Sequence, residues 1–107
     1  MIKFISPVEL KTKIDANEIL AIDIREQYEK DICQLENSVL IPMDDIDAII
    51  ERVKSSSKDP VIICKTGKRA EPTANFIDKS LNLDLIYVLE GGITAWIEEI
   101  DNHLENY

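Results

Sequence analysis

Val61-Ile62-Ile63-Cys64-Lys65-Thr66-Gly67-Lys68-Arg69 decides how this chain is read. Its first three residues are β-branched and apolar without interruption, which is the pattern of a strand covered on both faces. Cys64 closes that strand. Lys-Thr-Gly-Lys-Arg follows, and a helical pattern begins at Ala70, with Ala70, Ala74, Ile77 and Leu81 on one face. The segment therefore predicts a buried strand, a short cationic loop and a helix start, with a thiol where the strand ends.

Outward from this segment, short apolar runs alternate with helical periodicities. Ser6-Pro7-Val8-Glu9 carries an N-cap serine, a proline at the first helical position and a glutamate at the capping-box position, which predicts a helix to about Asp15. Ile19–Asp23 reads as a buried strand, residues 26–31 as a short helix or turn, and Ser38–Ile41 as a strand stopped by Pro42. From Asp44, the positions Ile46, Ile49, Ile50 and Val53 follow amphipathic helical spacing, with Asp44 or Asp45 as the cap. Leu85–Leu89 is a further strand. Gly91-Gly92 breaks it, and a last helix presents Ile93, Trp96, Ile97, Ile100 and Leu104 on one face. The polar stretch from Asp101 to Tyr107 is expected to be helical at first and then frayed.

Strands separated by helices of this length pair in parallel through crossovers. The expected fold is a three-layer, single-domain α/β fold over residues 1–107, with a central, mostly parallel sheet and helices on both faces. In such sheets ligands bind at the carboxyl ends of the strands, where Cys64 is placed.

Bulk properties narrow the function. The chain has 107 residues and a formal net charge of −9. A nucleic-acid partner or an anionic membrane surface needs a basic face, so both are excluded as expectations. No apolar run is long enough for a membrane span, and the opening residues turn polar too soon for a signal peptide, so the expected compartment is the cytoplasm. Two cysteines, Cys33 and Cys64, make a poor disulfide framework. There is no C-x-x-C and His103 is the one histidine, so no metal is expected. No cofactor is expected either.

The loop after Cys64 carries the chemistry. A free thiol has a pKa of about 8.5, so nucleophilic use needs donors or positive charge aimed at the sulfur. Gly67 takes a positive φ at little cost, which lets the N–H groups of residues 65–69 ring the sulfur. Lys65 and Lys68 add positive potential, and Arg69 either binds an anionic substrate or ties the loop to a carboxylate. The same cradle suits a persulfide, which is anionic at neutral pH. Three cations at the positive end of a helix dipole are unfavourable unless something anionic offsets them. By contrast, a cysteine at the end of an apolar strand without such a loop reads as a small core residue.

With these residues in hand, the chain resembles the rhodanese family over nearly its whole length. Ala21-Ile22-Asp23-Ile24-Arg25-Glu26 with Tyr28-Glu29 is similar to the family's D-x-R-E and aromatic-Glu motif. Val39-Leu40-Ile41-Pro42 is similar to the strand and proline after it. Cys64 to Arg69 resembles the active-site loop C-x-x-G-x-R, and Leu89-Glu90-Gly91-Gly92-Ile93 with Trp96 resembles the closing L-x-G-G-x-x-x-W. Ile32-Cys33-Gln34-Leu35-Glu36-Asn37-Ser38 is similar, in part, to the stretch found in rhodanese domains fused behind the adenylating enzymes of molybdopterin and thiamine biosynthesis; Glu36 stands where those have proline.

The resemblance implies a sulfurtransferase. Cys64 would take sulfane sulfur from thiosulfate or a desulfurase persulfide and pass it to a thiol, to cyanide or to a sulfur-carrier protein. Lys65, Thr66, Gly67, Lys68 and Arg69 would bind the anionic substrate. Asp23 and Arg25, at the end of the second strand, have two readings of their own, an ion pair with the cysteine loop or its helix or a contact of one of them with substrate, and the supporting role is preferred. Glu71, just inside the next helix, is placed to pair with Arg25 or Arg69 and suits the helix N-terminus. Two other functions compete. A non-catalytic rhodanese-like binding module has no need of Cys64 and its crowded cations. Phosphatases with a related loop use C-x5-R, one residue longer than the loop here. Cys33 has two readings, a second thiol that resolves a Cys64 persulfide or a packed residue at a turn, and the packed reading is preferred.

Overall fold

A computed structural model describes all 107 residues. The chain runs β1 (Ile2–Ile5), α1 (Pro7–Asp15), β2 (Ile19–Asp23), α2 (Gln27–Ile32), β3 (Val39–Leu40), α3 (Ile46–Lys54), β4 (Asp59–Ile63), α4 (Ala70–Leu81), β5 (Ile86–Leu89) and α5 (Gly92–Glu99). The five strands form one all-parallel sheet in the order β1-β5-β4-β2-β3. This is the expected α/β architecture, a single compact domain with helices on both faces.

Strand alternation divides the core into two. Ile19, Ala21, Val61, Ile63, Tyr87 and Leu89 pack on the side of α1 and α5, around Leu10, Ile93, Trp96 and Ile97. Leu20, Ile22, Ile62, Cys64, Ile86 and Val88 pack on the side of α3 and α4, around Ile49, Val53, Ala70, Ala74 and Ile77. Successive residues of a strand point to opposite faces, so a strand buried on both sides must be apolar throughout. That is why β4 carries its uninterrupted run.

The topology positions the site. β2 is followed by β3 on one side, whereas β4 is followed by β5 on the other, so the connections diverge between β2 and β4. A crevice forms at the carboxyl ends of strands where connections diverge in this way. Asp23 ends β2 and Cys64 follows β4, on the two sides of that divergence.

Three local features differ from the sequence reading. β1 carries no recognisable strand pattern: it is a four-residue edge strand in which Ile5 alone is fully buried, and it pairs with β5 from Ile2–Ile86 to Ile5–Leu89. Asp45 occupies the N-cap of α3, but its side chain makes no capping bond. The last helix stops at Glu99. The N–H groups of Ile100 and Asp101 both donate to the Trp96 carbonyl, at 2.8 and 3.1 Å, which closes the helix. Asp101 Oδ1 then accepts the His103 N–H at 3.2 Å, an Asx-type turn that competes with further helix. Leu104 reaches the core from this irregular segment rather than from a helix face.

Candidate active site

Cys64 is 1% exposed, and its Sγ accepts the Gly67 N–H at 3.0 Å. Gly67 has φ +100°, the left-handed conformation that turns this N–H back toward the sulfur. Of the five donors expected around the sulfur, this is the one that reaches it. The N–H groups of Thr66, Lys68 and Arg69 donate to no protein acceptor, so they remain available to an anion at the loop.

The loop carbonyls are held by α5. Ile93 N–H donates to the Cys64 carbonyl at 2.9 Å, and Thr94 N–H donates to the Lys65 carbonyl at 3.0 Å. Both donors belong to the first turn of α5, where backbone N–H groups lack partners within the helix. A Cβ on Gly92 would lie 2.5 Å from the Cys64 carbonyl oxygen and 2.4 Å from that of Lys65. The Gly-Gly pair is thus more than a strand-to-helix turn: it lets the α5 N-terminus dock on the backbone of the cysteine loop.

Arg69 ends the loop at the N-cap of α4, and its guanidinium turns to Glu29. Nη1 donates to Oε1 and Nη2 to Oε2, both at 2.9 Å. Glu29 belongs to α2, is buried, and also accepts the Glu26 N–H on Oε1 at 3.0 Å. The bidentate bond from Arg69 holds the Glu29 carboxyl down at about 2, against the opposing effect of burial. The same pairing raises Arg69 above its ordinary value, against the opposing effect of burial. Arg69 is therefore tied to a carboxylate, one of its two expected roles, through one N–H on each terminal nitrogen.

Glu71 does not have the role expected of it. It is exposed on α4 and pairs with neither arginine; Glu29 takes that place. Glu71 instead lines, with Phe4, Thr66, Gly67, Lys68 and Glu90 among others, a cleft of about 400 Å³ beside the loop. The positive end of the α4 dipole suits its charge without a partner.

Asp23 and Arg25 pair with each other. Both side chains are fully buried; Arg25 Nε donates to Asp23 Oδ1 at 2.9 Å and Nη2 to Oδ2 at 2.8 Å. Burial alone would lower the arginine, but the Asp23 and Tyr107 bonds outweigh it and raise Arg25. Arg25 Nη2 also donates to the Cys33 carbonyl at 2.8 Å, which fastens the end of α2. Cys33 itself is buried, as the packed reading expects.

Tyr107 is the largest departure from expectation. Its segment is not frayed: the phenol accepts from Arg25 Nη1 and donates to Glu29 Oε2, both at 2.7 Å. Lys65 Nζ sits 4.4 Å from the centre of its ring. Burial pushes the Tyr107 phenol up to about 12, with the Arg25 bond opposing. Glu29 and Tyr107 are the site residues that sequence reasoning missed. Glu29 stood in a quoted motif and the crowded loop cations called for a carboxylate, but Tyr107 gave no local signal.

Comparison with known proteins places the chain in a family. The model of the rhodanese-like domain matches residues 6–99. The probable adenylyltransferase/sulfurtransferase MoeZ of Mycobacterium tuberculosis is 31% identical over 96% of this chain and 26% of its own length. The adenylyltransferase and sulfurtransferase uba4 of Aspergillus niger is 29% identical over 96% of this chain and 28% of its own. This chain spans about a quarter of the length of the curated relatives it matches. A rhodanese-related protein from Thermoplasma volcanium superposes with a TM-score of 0.77 at 28% identity, over 92% of this chain and 93% of the other. Sheet order, cysteine loop and sequence relatives converge, and the chain belongs to the rhodanese-like domain family.

Proposed function

We propose that this domain is a sulfurtransferase that carries sulfane sulfur as a persulfide on Cys64. The observation that carries the reading is the Gly67 N–H bonded to Cys64 Sγ at 3.0 Å, in a loop whose neighbouring N–H groups have no protein acceptor. Such donors stabilise an anion held in a partly dry cradle. Lys65 and Lys68 supply the positive potential that lets an anionic donor approach an anionic nucleophile.

The steps balance without a cofactor. The Cys64 thiolate attacks the outer sulfur of thiosulfate, the bond between the two donor sulfurs breaks, and sulfite leaves with the electron pair. The product is the Cys64 persulfide anion. Cyanide or an acceptor thiolate then attacks the terminal sulfur, and Cys64 leaves as thiolate; toward a carrier carboxyl activated as an acyl adenylate, the persulfide sulfur instead attacks the carbonyl and AMP leaves. A desulfurase persulfide serves as donor by the same displacement. No general acid or base is needed. The relatives named as sulfurtransferases support the chemistry, and their adenylyltransferase names favour a carrier protein as acceptor. A reducing cytoplasm suits two free cysteines.

Loop length argues against phosphatase chemistry: four residues separate Cys64 from Arg69, one fewer than in a C-x5-R loop. The test is thiocyanate formation from thiosulfate and cyanide. Activity present in the wild type and lost in Cys64→Ser supports the reading. If a persulfidated desulfurase loads Cys64 where thiosulfate does not, the donor is a protein. If neither loads it, the domain is a binding module.

A further inference from the structure

Tyr107 touches both ends of the cysteine loop. At one end its ring lies under the ammonium of Lys65, the residue directly after Cys64. At the other its phenol donates to Glu29, the carboxylate that clamps Arg69. Arg25, itself locked by Asp23, donates to the phenol oxygen from below. Residues 100–107 form no regular helix, so these contacts, with Leu104 against the core, hold the segment in place.

We propose that Tyr107 is a positioning residue that presents the Lys65 ammonium at the mouth of the Cys64 loop and fixes the Glu29–Arg69 clamp behind it, thereby selecting anionic sulfur donors. The proposal rests on Cys64 being the reactive thiol. A lysine side chain free in solvent spreads its charge over many rotamers, and ordering it costs side-chain entropy. A cation held over an aromatic face is attracted by the ring's negative face, which favours one position of the ammonium. The phenol oxygen adds a second constraint, because the ring cannot shift without breaking its bonds to Arg25 and Glu29. Tyr107 thereby couples the charge that meets the donor to the carboxylate that anchors the loop.

The test compares alkylation of Cys64 by iodoacetate, which is anionic, with alkylation by iodoacetamide, which is neutral, followed by peptide mass. A loosened loop changes both rates together, whereas a displaced Lys65 changes their ratio. Tyr107→Phe keeps the ring under Lys65 but removes the phenol bonds that fix it, so the ratio falls less than in Tyr107→Leu. Tyr107→Leu removes the ring, and the iodoacetate-to-iodoacetamide ratio falls roughly threefold, as expected for losing one fixed cation near the surface. Lys65→Gln lowers the ratio similarly, and adding Tyr107→Leu to it lowers the ratio no further. An unchanged or increased ratio in Tyr107→Leu with its unfolding midpoint preserved overturns the proposal, and so does an unchanged ratio in Lys65→Gln, which remains readable if Tyr107→Leu does not fold. Thiosulfate loading, measured alongside, separates the two claims. No loading with a lowered ratio defeats thiosulfate as donor but keeps Tyr107 in its role; loading in the wild type with an unmoved ratio does the reverse.

Discussion

Arg69 and Glu29 meet as two parallel hydrogen bonds of 2.9 Å, one partner at the end of the cysteine loop and the other buried on α2. The pair fastens the loop to an element 40 residues earlier in the chain. It also answers the crowding of cations at the start of α4, since the arginine charge is neutralised while Lys65 and Lys68 are left to the loop.

This pair sets an acid limit on stability. Glu29 is held at about 2 against an ordinary 4.5, so the folded chain binds its proton less tightly than the unfolded chain. The stabilisation is complete above pH 4.5 and is lost as pH falls toward 2. It amounts to on the order of 3 kcal/mol. Denaturant unfolding across that window should show Glu29→Gln less stable than wild type at pH 7, with the difference shrinking toward pH 2.

Tyr107 sets the alkaline counterpart. Its phenol is raised to about 12 from 10.0, so its contribution is full below pH 10 and is lost as pH rises toward 12. Unfolding midpoints measured between pH 9 and 11, values chosen to straddle the roughly pH 10 of a free phenol, should fall more steeply in wild type than in Tyr107→Phe. Equal slopes would place the phenol outside this network.

The glycines of the loop and of α5 should differ in cost. At Gly67 an added Cβ meets nothing closer than 3.7 Å, so Gly67→Ala suffers the φ of +100° and costs about 1–2 kcal/mol. At Gly92 the added Cβ would strike two carbonyl oxygens at 2.4 and 2.5 Å, both backbone atoms of the cysteine loop. Gly92→Ala should cost more than Gly67→Ala, at least about 3 kcal/mol, and should abolish sulfur loading where folded protein is recovered. Chemical denaturation of both variants decides the order.

Arg25→Met should be among the most damaging substitutions outside the loop. It leaves the Asp23 carboxylate fully buried without its partner and frees the Cys33 carbonyl. Breaking one side of a buried pair costs about 3–5 kcal/mol. Thermal melts should show a much larger loss for Arg25→Met than for the double variant Asp23→Leu, Arg25→Met, which removes both charges.

What the sequence made legible follows from the range of the forces involved. The strands β2, β4 and β5 and the helices α1, α3 and α4 are written in local periodicity, because a buried face must be apolar at fixed spacing. The cysteine loop is equally local: Gly67 sits three residues from the sulfur it addresses. β1 was not legible, because an edge strand with one fully buried residue has no such pattern. Neither was the partner of Arg69, since Glu71 and Glu29 are both acidic and only the fold brings Glu29 across. Tyr107 lies 78 residues from Glu29 in the chain, and nothing in a polar segment marks such a contact.

The persulfide on Cys64 is the central claim, and intact mass after brief exposure to thiosulfate or to a persulfidated desulfurase tests it most directly. The account predicts a gain of one sulfur atom in the wild type, removed by cyanide, and no gain in Cys64→Ala. A wild-type protein that gains no sulfur from either donor, or a Cys64→Ala variant that gains it equally, would contradict the account.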